Sequence, residues 1–414
     1  MKIKSVFARE IIDSRGNPTI EVDIKTEGGG FGRASSPSGA SRGLHEATEL
    51  RDGGPRFRGK GVLRAVDNVN KAIGPAIYEM EASPQEDIDQ KMIELDGTKN
   101  KEKLGGNAIV AVSMANLKAA ASARKMALYD FLGGEKLPIP LLNIINGGKH
   151  AGNGLSIQEF MVIPAKSPSF SEGLRAACEI YRTLNDKLVK KYGRTSRNVG
   201  DEGGFAPPMS RTTEALDAIS ESIEECGYSA NAGIGLDAAA SSFYRESDGK
   251  YFMDGKYMER GELIDYYGEL LRAYKILSIE DPLFEEDFEG FAEFTRRYGE
   301  KVQVVGDDLV VTNPERVKKA IEMNAMNALL LKVNQIGTVT EARKAAELAM
   351  EAGMEVVVSH RSGETDDTFI ADFSVGMGAT QIKSGAPARG ERTCKYNRLL
   401  RIEEKLGKHY AQVW

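Results

Sequence analysis

A chain of 414 residues is longer than one ordinary core requires, and its length alone predicts two domains, one of them large enough for a barrel. With 41% hydrophobic and 28% charged residues it falls among globular proteins, which excludes a disordered or fibrous chain. The formal net charge of -6 gives nucleic acid no bulk attraction and leaves room only for a local basic pocket that takes a small anion.

The first elements are strands. Thr19 to Thr26 alternates Ile20, Val22 and Ile24 with Glu21, Asp23 and Lys25, the period of a strand with one wet face, and it follows a turn over Asp13 to Pro18. Gly28-Gly29-Gly30 turns the chain into a third strand, and a Ser/Gly-rich loop runs from Ser35 to Gly43. Helices then dominate. Ser83-Pro84-Gln85-Glu86 predicts a helix capped by Ser83, with Pro84 at its first position and a glutamate closing a capping box. The Ala-rich run from Asn107 to Leu132 predicts one helix that stops at Gly133-Gly134. Strands followed by helices give a small α+β domain over residues 1–136, and Leu137-Pro138-Ile139-Pro140 marks its boundary, because paired prolines stiffen a connection.

From residue 141 to 414 strand and helix alternate. Strands are predicted over Ile234 to Leu236, Ile276 to Ile279, Val302 to Val305, Ala328 to Val333, Val356 to Val358 and Gln381-Ile382. Thr338 to Glu341 is a capping box, and Asn313-Pro314-Glu315 starts another helix. Repeated βα units over roughly 270 residues suit a closed α/β barrel, for which ~250 is typical. The three cysteines (Cys178, Cys226, Cys394) are widely spaced and form no CxxC, which argues against a disulfide framework or a zinc site. No apolar run follows Met1 to Ser5 and none approaches the ~20 residues of a membrane span, so a cytoplasmic location without membrane contact is expected.

Barrel chemistry gathers at the C-terminal ends of the strands. The residues there are Asp237, Glu280, Asp307, Lys332, His360 and Lys383, separated by 43, 27, 25, 28 and 23 positions. Most of these gaps match one βα unit of ~20–30 residues, so neighbours share one mouth. Three carboxylates without histidine or cysteine suit a hard divalent cation such as Mg²⁺, although any one acid could equally cap a helix. Lys332 ends an apolar strand and alone would snorkel. Beside Lys383 and a metal charge its pKa, ordinarily ~10.4, would fall towards that of a base.

Of the four histidines, His150 lies in the glycine-dense Asn146 to Gly152, while His45 and His409 read as structural. His360-Arg361-Ser362 sets an imidazole, a guanidinium and a hydroxyl side by side, a grip suited to phosphate. Asn198 to Pro207 presents Asp201 and Glu202 in a glycine-rich frame, or simply a sharp turn. The loop from Ser35 to Gly43 lacks the GK[ST] ending of a P-loop, which argues against nucleotide binding.

Together these strings resemble the enolases, along nearly the whole chain. They include Ala8 to Thr19, Pro37 to Ser41 with Glu46-Ala47, Asn146-Gly147-Gly148, His150-Ala151-Gly152, Gln158 to Met161 and Gly200 to Pro207. They continue through Ser278 to Pro282, Gly306 to Leu309, Leu331 to Thr338, Ser359 to Asp372 and Ile382 to Arg389. The resemblance implies an α/β fold, with the small N-terminal domain followed by an enolase-type (β/α)8 TIM-like barrel whose first strands are not all parallel. It implies Mg²⁺-dependent, reversible dehydration of 2-phospho-D-glycerate to phosphoenolpyruvate, a step of glycolysis. Asp237, Glu280 and Asp307 would hold one Mg²⁺, and a second would arrive with substrate as the Ser41 loop closes. Lys332 would be the base at C2, and Glu202 the acid for the C3 hydroxyl, with Glu159 in its proton network. Arg361 and Ser362 would grip the phosphate, and His150, Gln158, His360 and Lys383 would complete the substrate contacts. Homodimers or homo-octamers are implied as well.

Two departures stand out. Arg42 occupies a position where the family usually has threonine, which bears on loop closure, and the segment Gly53 to Phe57 is short. An acid-sugar or muconate enzyme of the wider superfamily would typically carry Lys-x-Lys on an early barrel strand. Here that region is Gln158-Glu159-Phe160. A catalytically silent binding protein on the same scaffold should have lost costly site groups, and none is missing.

Overall fold

The computed structural model describes every residue of the chain except Ser41 and Lys408. Strands β1 (Ile3–Ile12), β2 (Pro18–Thr26) and β3 (Phe31–Ser35) form an antiparallel sheet in that order. Ile20, Val22 and Ile24 are all buried, as their alternation requires, and the helix Gly106–Ala123 packs on β2 and β3. Gly32 allows that close approach, since a Cβ there would lie 2.0 Å from the carbonyl oxygen of Ala115.

Two helix expectations need correction. The Ala-rich helix stops at Ala123 and not near residue 132, because Lys125 adopts left-handed backbone with φ 57. The N–H groups of Lys125 and Met126 fold back onto the carbonyls of Ser122 and Ala121 (2.9 and 3.1 Å), and a separate helical turn, Leu128–Phe131, follows. Ser83 caps nothing. The helix Gln85–Asp96 begins after an extended Pro84 with no side-chain cap. Gln85 turns inward instead, donating to Asp89 (3.0 Å) and Ser113 (3.2 Å) and accepting from Asn116 (2.8 Å).

The barrel strands are β4 (Ile139–Asn146), β5 (Glu159–Ile163) and β6 (Gly233–Asp237). A small sheet intervenes, made of β7 (Tyr244–Arg245), β8 (Lys250–Met253) and β9 (Lys256–Met258). Then come β10 (Ile276–Glu280), β11 (Gln303–Gly306), β12 (Ala328–Leu331), β13 (Glu355–Ser359) and β14 (Gln381–Lys383). They close in the order β10-β11-β12-β13-β14-β4-β5-β6. Every neighbouring pair is parallel except β4–β5 and β5–β6, so β5 alone runs backwards. The prolines at 138 and 140 do not hold the chain outside the barrel: Ile139 and Pro140 already pair with Gln381 and Ile382 of β14.

The helix caps read from sequence occur at Thr338, which accepts from the Glu341 N–H (3.2 Å), and at Asn313, which accepts from Glu315 (2.9 Å). The N-terminal sheet and its loop rest on the rim formed by the residues after β13. Ser38 and Gly363 exchange backbone hydrogen bonds (2.8 Å each), the Ser35 N–H donates to Asp367 (3.0 Å), and Lys118 pairs with Asp367. Ser35 to Ala40 are thereby held at the rim of the barrel. No helix among the described residues is long and apolar enough to cross a membrane.

Candidate active site

Strand register assembles the mouth. Asp237, at the end of β6, lies opposite Glu280 of β10 on one side and Glu159 of β5 on the other. Because β5 is reversed, its first residue stands at the level where parallel strands end. Lys332 and His360 directly follow β12 and β13, Asp307 follows β11, and Lys383 ends β14. In the ring order β12 faces β5, which sets Lys332 and Glu159 on opposite walls. Lys383 reaches across the mouth from β14 to Glu280 on β10 (2.8 Å), with Asp237 at 3.0 Å and Glu159 at 3.2 Å.

His150, Gln158, Glu159, Glu202, Asp237, Lys332, His360, Arg361, Ser362 and Lys383 all line one cavity of about 20 Å³, room for a single water. Larger clefts exist, including one of about 400 Å³ between the helices Phe170–Tyr192 and Thr212–Glu225, but its wall is surface lysine and glutamate without converging buried groups. The site is thus drawn in around its own ion pairs, and a ligand enters by displacing them.

The acid side is a carboxyl pair. Burial and the neighbouring Glu202 push Glu159 well above the usual carboxylate range, while Glu202 stays well below it. Burial also opposes the charge on Glu202, but His150, His360, Arg392 and a hydrogen bond from Glu159 outweigh it. Asn143 donates to Glu202 Oε2 (2.9 Å), His150 Nδ1 lies 3.6 Å from both carboxyls, and His360 Nε2 lies 3.7 Å from Glu202. Burial thus favours the acid form of Glu159, and the cations around Glu202 favour its carboxylate. Glycine is required beside it, since a Cβ on Gly204 would lie 2.3 Å from Asn146 Oδ1.

On the opposite wall Lys332 is ion-paired with Asp307. Burial favours its neutral amine, yet Asp307 and Glu280 win and hold the ammonium above its ordinary value. The lowered pKa expected from sequence is therefore not what the protein charges alone produce. Gln335 donates to the other oxygen of Asp307 (2.8 Å) and accepts from Thr312 (2.8 Å), whose oxygen accepts from the Lys332 N–H (2.9 Å).

The acidic residues suit a divalent cation. Burial and Asp237 push Glu280 well above its usual range, and its Oε1 is buried without a hydrogen-bond partner among the described residues. Asp237 and Glu280 turn towards Lys383, whereas Asp307 gathers with Asp281 and Asp308, ligand atoms within 4.8 Å of one another. Oxygen donors of this kind select hard cations. Ser41, the fourth candidate ligand, lies outside the described residues.

Arg361 donates to both oxygens of Glu46 (2.9 and 3.0 Å) and to Asn334 (3.1 Å), and Ser362 Oγ accepts from the Ala40 N–H. Arg361 and Ser362 are therefore tied to the N-terminal loop. Arg42 folds back onto its own loop, donating to the Ala47 carbonyl (2.8 Å), and lines no part of the cavity. His45 pairs with Glu286 at the surface and His409 is exposed, away from the site.

Sequence reasoning missed Asn143, Glu46 as a partner of Arg361, Gln335 and Arg392. Asn143 left a signal, a polar residue inside the apolar Leu141 to Ile145. Arg392 left none, being one of several cations in an amphipathic helix.

Residues 3–132 match the family model for the enolase N-terminal domain, and 135–412 that for the enolase C-terminal TIM barrel domain. The chain is 58% identical to an enolase of Methanocaldococcus jannaschii, covering 98% of this chain and 96% of that one. It is 58% identical to an enolase of Thermococcus gammatolerans (98% and 95%) and 54% identical to one of Pyrococcus furiosus (100% and 99%). With two family domains end to end and relatives alike over their full length, the chain belongs to the enolase family, the hydro-lyases.

Proposed function

We propose that this enolase-family hydro-lyase interconverts 2-phospho-D-glycerate and phosphoenolpyruvate, with Lys332 taking the C2 proton and the Glu159–Glu202 pair delivering a proton to the leaving C3 hydroxyl. The observation that carries this reading is the placement of the Lys332 amine and the Glu159–Glu202 carboxyl pair on opposite walls of a single cavity. A base and an acid that act at one pH need opposed environments. Burial pushes Glu159 up, which favours its acid form. For Lys332, once Asp307 and Glu280 are both engaged as ligands, the influences that remain largest are burial, Arg361 and Lys383, and all three favour the neutral amine.

Asp237, Glu280 and Asp307 would hold Mg²⁺, with a second Mg²⁺ arriving beside Ser41. The bound ions would supply Lewis-acid stabilisation of charge on the substrate carboxylate. Arg361 and Ser362 grip the phosphate, with His150, Gln158, His360 and Lys383 around the rest of the substrate. The N-terminal residues 1–136 cap the barrel of 141–414, and the protein works in the cytoplasm as a homodimer or homo-octamer.

The test is an ultraviolet assay for phosphoenolpyruvate formed from 2-phospho-D-glycerate, with and without Mg²⁺. Metal-dependent product is expected. Failure of folded, metal-loaded protein to make it, alongside turnover of a non-phosphorylated acid, would replace this reading with the wider superfamily's chemistry.

A further inference from the structure

One fully buried cation beside the site has no part in the reaction as read above. Arg392, in the helix Gly390–Leu406, is 0% exposed. Its guanidinium meets His360 Nδ1 at 2.6 Å and donates to the carbonyls of Arg361 (2.6 Å), Ser362 (2.6 Å) and Asp201 (3.0 Å). These four acceptors take up the N–H groups of both terminal nitrogens, while Nε lies 3.4 Å from a carboxylate oxygen of Glu391. They come from two different loops: Arg361 and Ser362 follow β13, while Asp201 adjoins Glu202 in the glycine-rich Asn198-to-Pro207 stretch.

Arginine has only donors and keeps its charge at every accessible pH. An imidazole nitrogen facing it at 2.6 Å must accept, which leaves the ring proton on the other nitrogen. That nitrogen, Nε2, has no hydrogen-bond partner among the described residues and points to Glu202 Oε2 across 3.7 Å. The gap is too long for a direct hydrogen bond. It suits an N–H that donates to an oxygen lying between His360 and Glu202.

We propose that Arg392 is a positioning residue that fixes His360 as its Nε2–H tautomer and ties the Glu202 loop to the Arg361–Ser362 loop, so that acid and anion grip keep one geometry. The inference deepens the function proposed above and rests on it for the roles of Glu202, Arg361 and Ser362. Burial and the nearby cations Arg392, Lys383 and Lys332 keep His360 well below its ordinary pKa against the pull of Glu202, in keeping with a neutral ring. A lysine at position 392 would keep the charge but lose the planar fork that serves two loops at once.

The test is the ¹⁵N-imidazole spectrum of the full-length protein. With four histidines, the spectrum of His360→Gln assigns the ring. A protonated Nε2 and a bare Nδ1 are expected for His360 at neutral pH. In Arg392→Lys the single tautomer should be lost, and dehydration should fall by about 100-fold, the scale seen when a group that orients an imidazole is removed. Exchange of the substrate C2 proton, which Lys332 performs on the other wall, should fall much less. A merely structural role would lower both activities together and would overturn the inference. So would a wild-type ring protonated at Nδ1, which can be read even if the lysine variant does not fold. Full dehydration by His360→Gln would count against the reaction reading, and the wild-type tautomer would still uphold or overturn the Arg392 contact.

Discussion

Asp89 offers a quantitative test of how the N-terminal domain holds the barrel. It is fully buried in the helix Gln85–Asp96 and reaches the first turn of the barrel helix Val339–Glu351, accepting from the Thr340 N–H (2.9 Å) and hydroxyl (2.6 Å) while Gln85 donates to its other oxygen (3.0 Å). Burial outweighs these hydrogen bonds and pushes its pKa up to about 6 from 3.8. A carboxyl whose folded pKa lies above its unfolded value gives full stability below the unfolded pKa and loses it as pH rises through the folded one. At 1.36 kcal/mol per pKa unit the loss is about 3 kcal/mol, developing between about pH 4 and about pH 6. Asp89→Asn cannot ionise. Its amide oxygen can serve Thr340, but its NH₂ then opposes the NH₂ of Gln85, a fixed cost of about 1–3 kcal/mol. The assay is urea unfolding of both chains at a series of pH values, taking the difference so that all shared titrations cancel. The variant should be the less stable chain near pH 4 and should gain about 3 kcal/mol on the wild type by pH 7. A difference that does not change with pH, or that changes in the opposite direction, would refute the reasoning and mean that the helix N-terminus and its donors win over burial.

The two walls of the site are separable by mutation. Lys332→Ala should abolish exchange of the C2 proton with solvent, a loss of three or more orders of magnitude for a removed base and its positioned charge; exchange at the wild-type rate would remove Lys332 from that role. Glu202→Gln keeps the hydrogen-bonding shape but cannot carry the proton that the pair delivers, so dehydration should fall by about 10²–10⁴-fold while some C2 exchange survives. Normal dehydration by that variant would move the acid elsewhere.

What the sequence revealed, and what it concealed, follows from how each residue reaches the mouth. Asp237, Glu280, Asp307, Lys332, His360 and Lys383 were legible because parallel strands end at one rim, and a charged residue after an apolar run marks that rim. Glu159 does not obey the rule. It begins a strand, and only the reversal of β5 brings it level with Asp237. Resemblance supplied it where periodicity could not. The pairing of Lys332 with Asp307 was not legible, because no spacing rule says which of two rim residues will pair. Glu46, Gln335 and Arg392 were hidden for another reason: each acts on a residue far away in sequence, and a single charged or amide side chain on a loop or helix looks like surface until its partner is placed. The false helix start at Ser83 and the missed stop at Lys125 are local failures, where an inward-facing Gln85 and a left-handed lysine overrode capping preferences.

Charge balance at the mouth leads to a last prediction. Glu159, Glu202, Asp237, Glu280 and Asp307 are all buried there, and the amines among them are Lys332 and Lys383. The excess negative charge is costly in a low-dielectric site, and it adds to burial in pushing Glu159 and Glu280 up. A divalent cation relieves that cost directly, so the fold and its affinity for metal are linked. At a free Mg²⁺ concentration of 100 times its Kd, binding should add about 2.7 kcal/mol to stability, and a chelator should remove it. Glu280→Gln separates the two effects. Its amide keeps an oxygen for Lys383 and removes one buried charge, so without metal the variant should unfold at a higher temperature than the wild type. Its Mg²⁺-dependent gain should vanish, because a ligand charge has been lost. If Glu280→Gln instead keeps the full Mg²⁺-dependent rise in thermal midpoint, Glu280 is no ligand, and the cation sits at another cluster, Asp281–Asp307–Asp308 or His150–Glu159–Glu202.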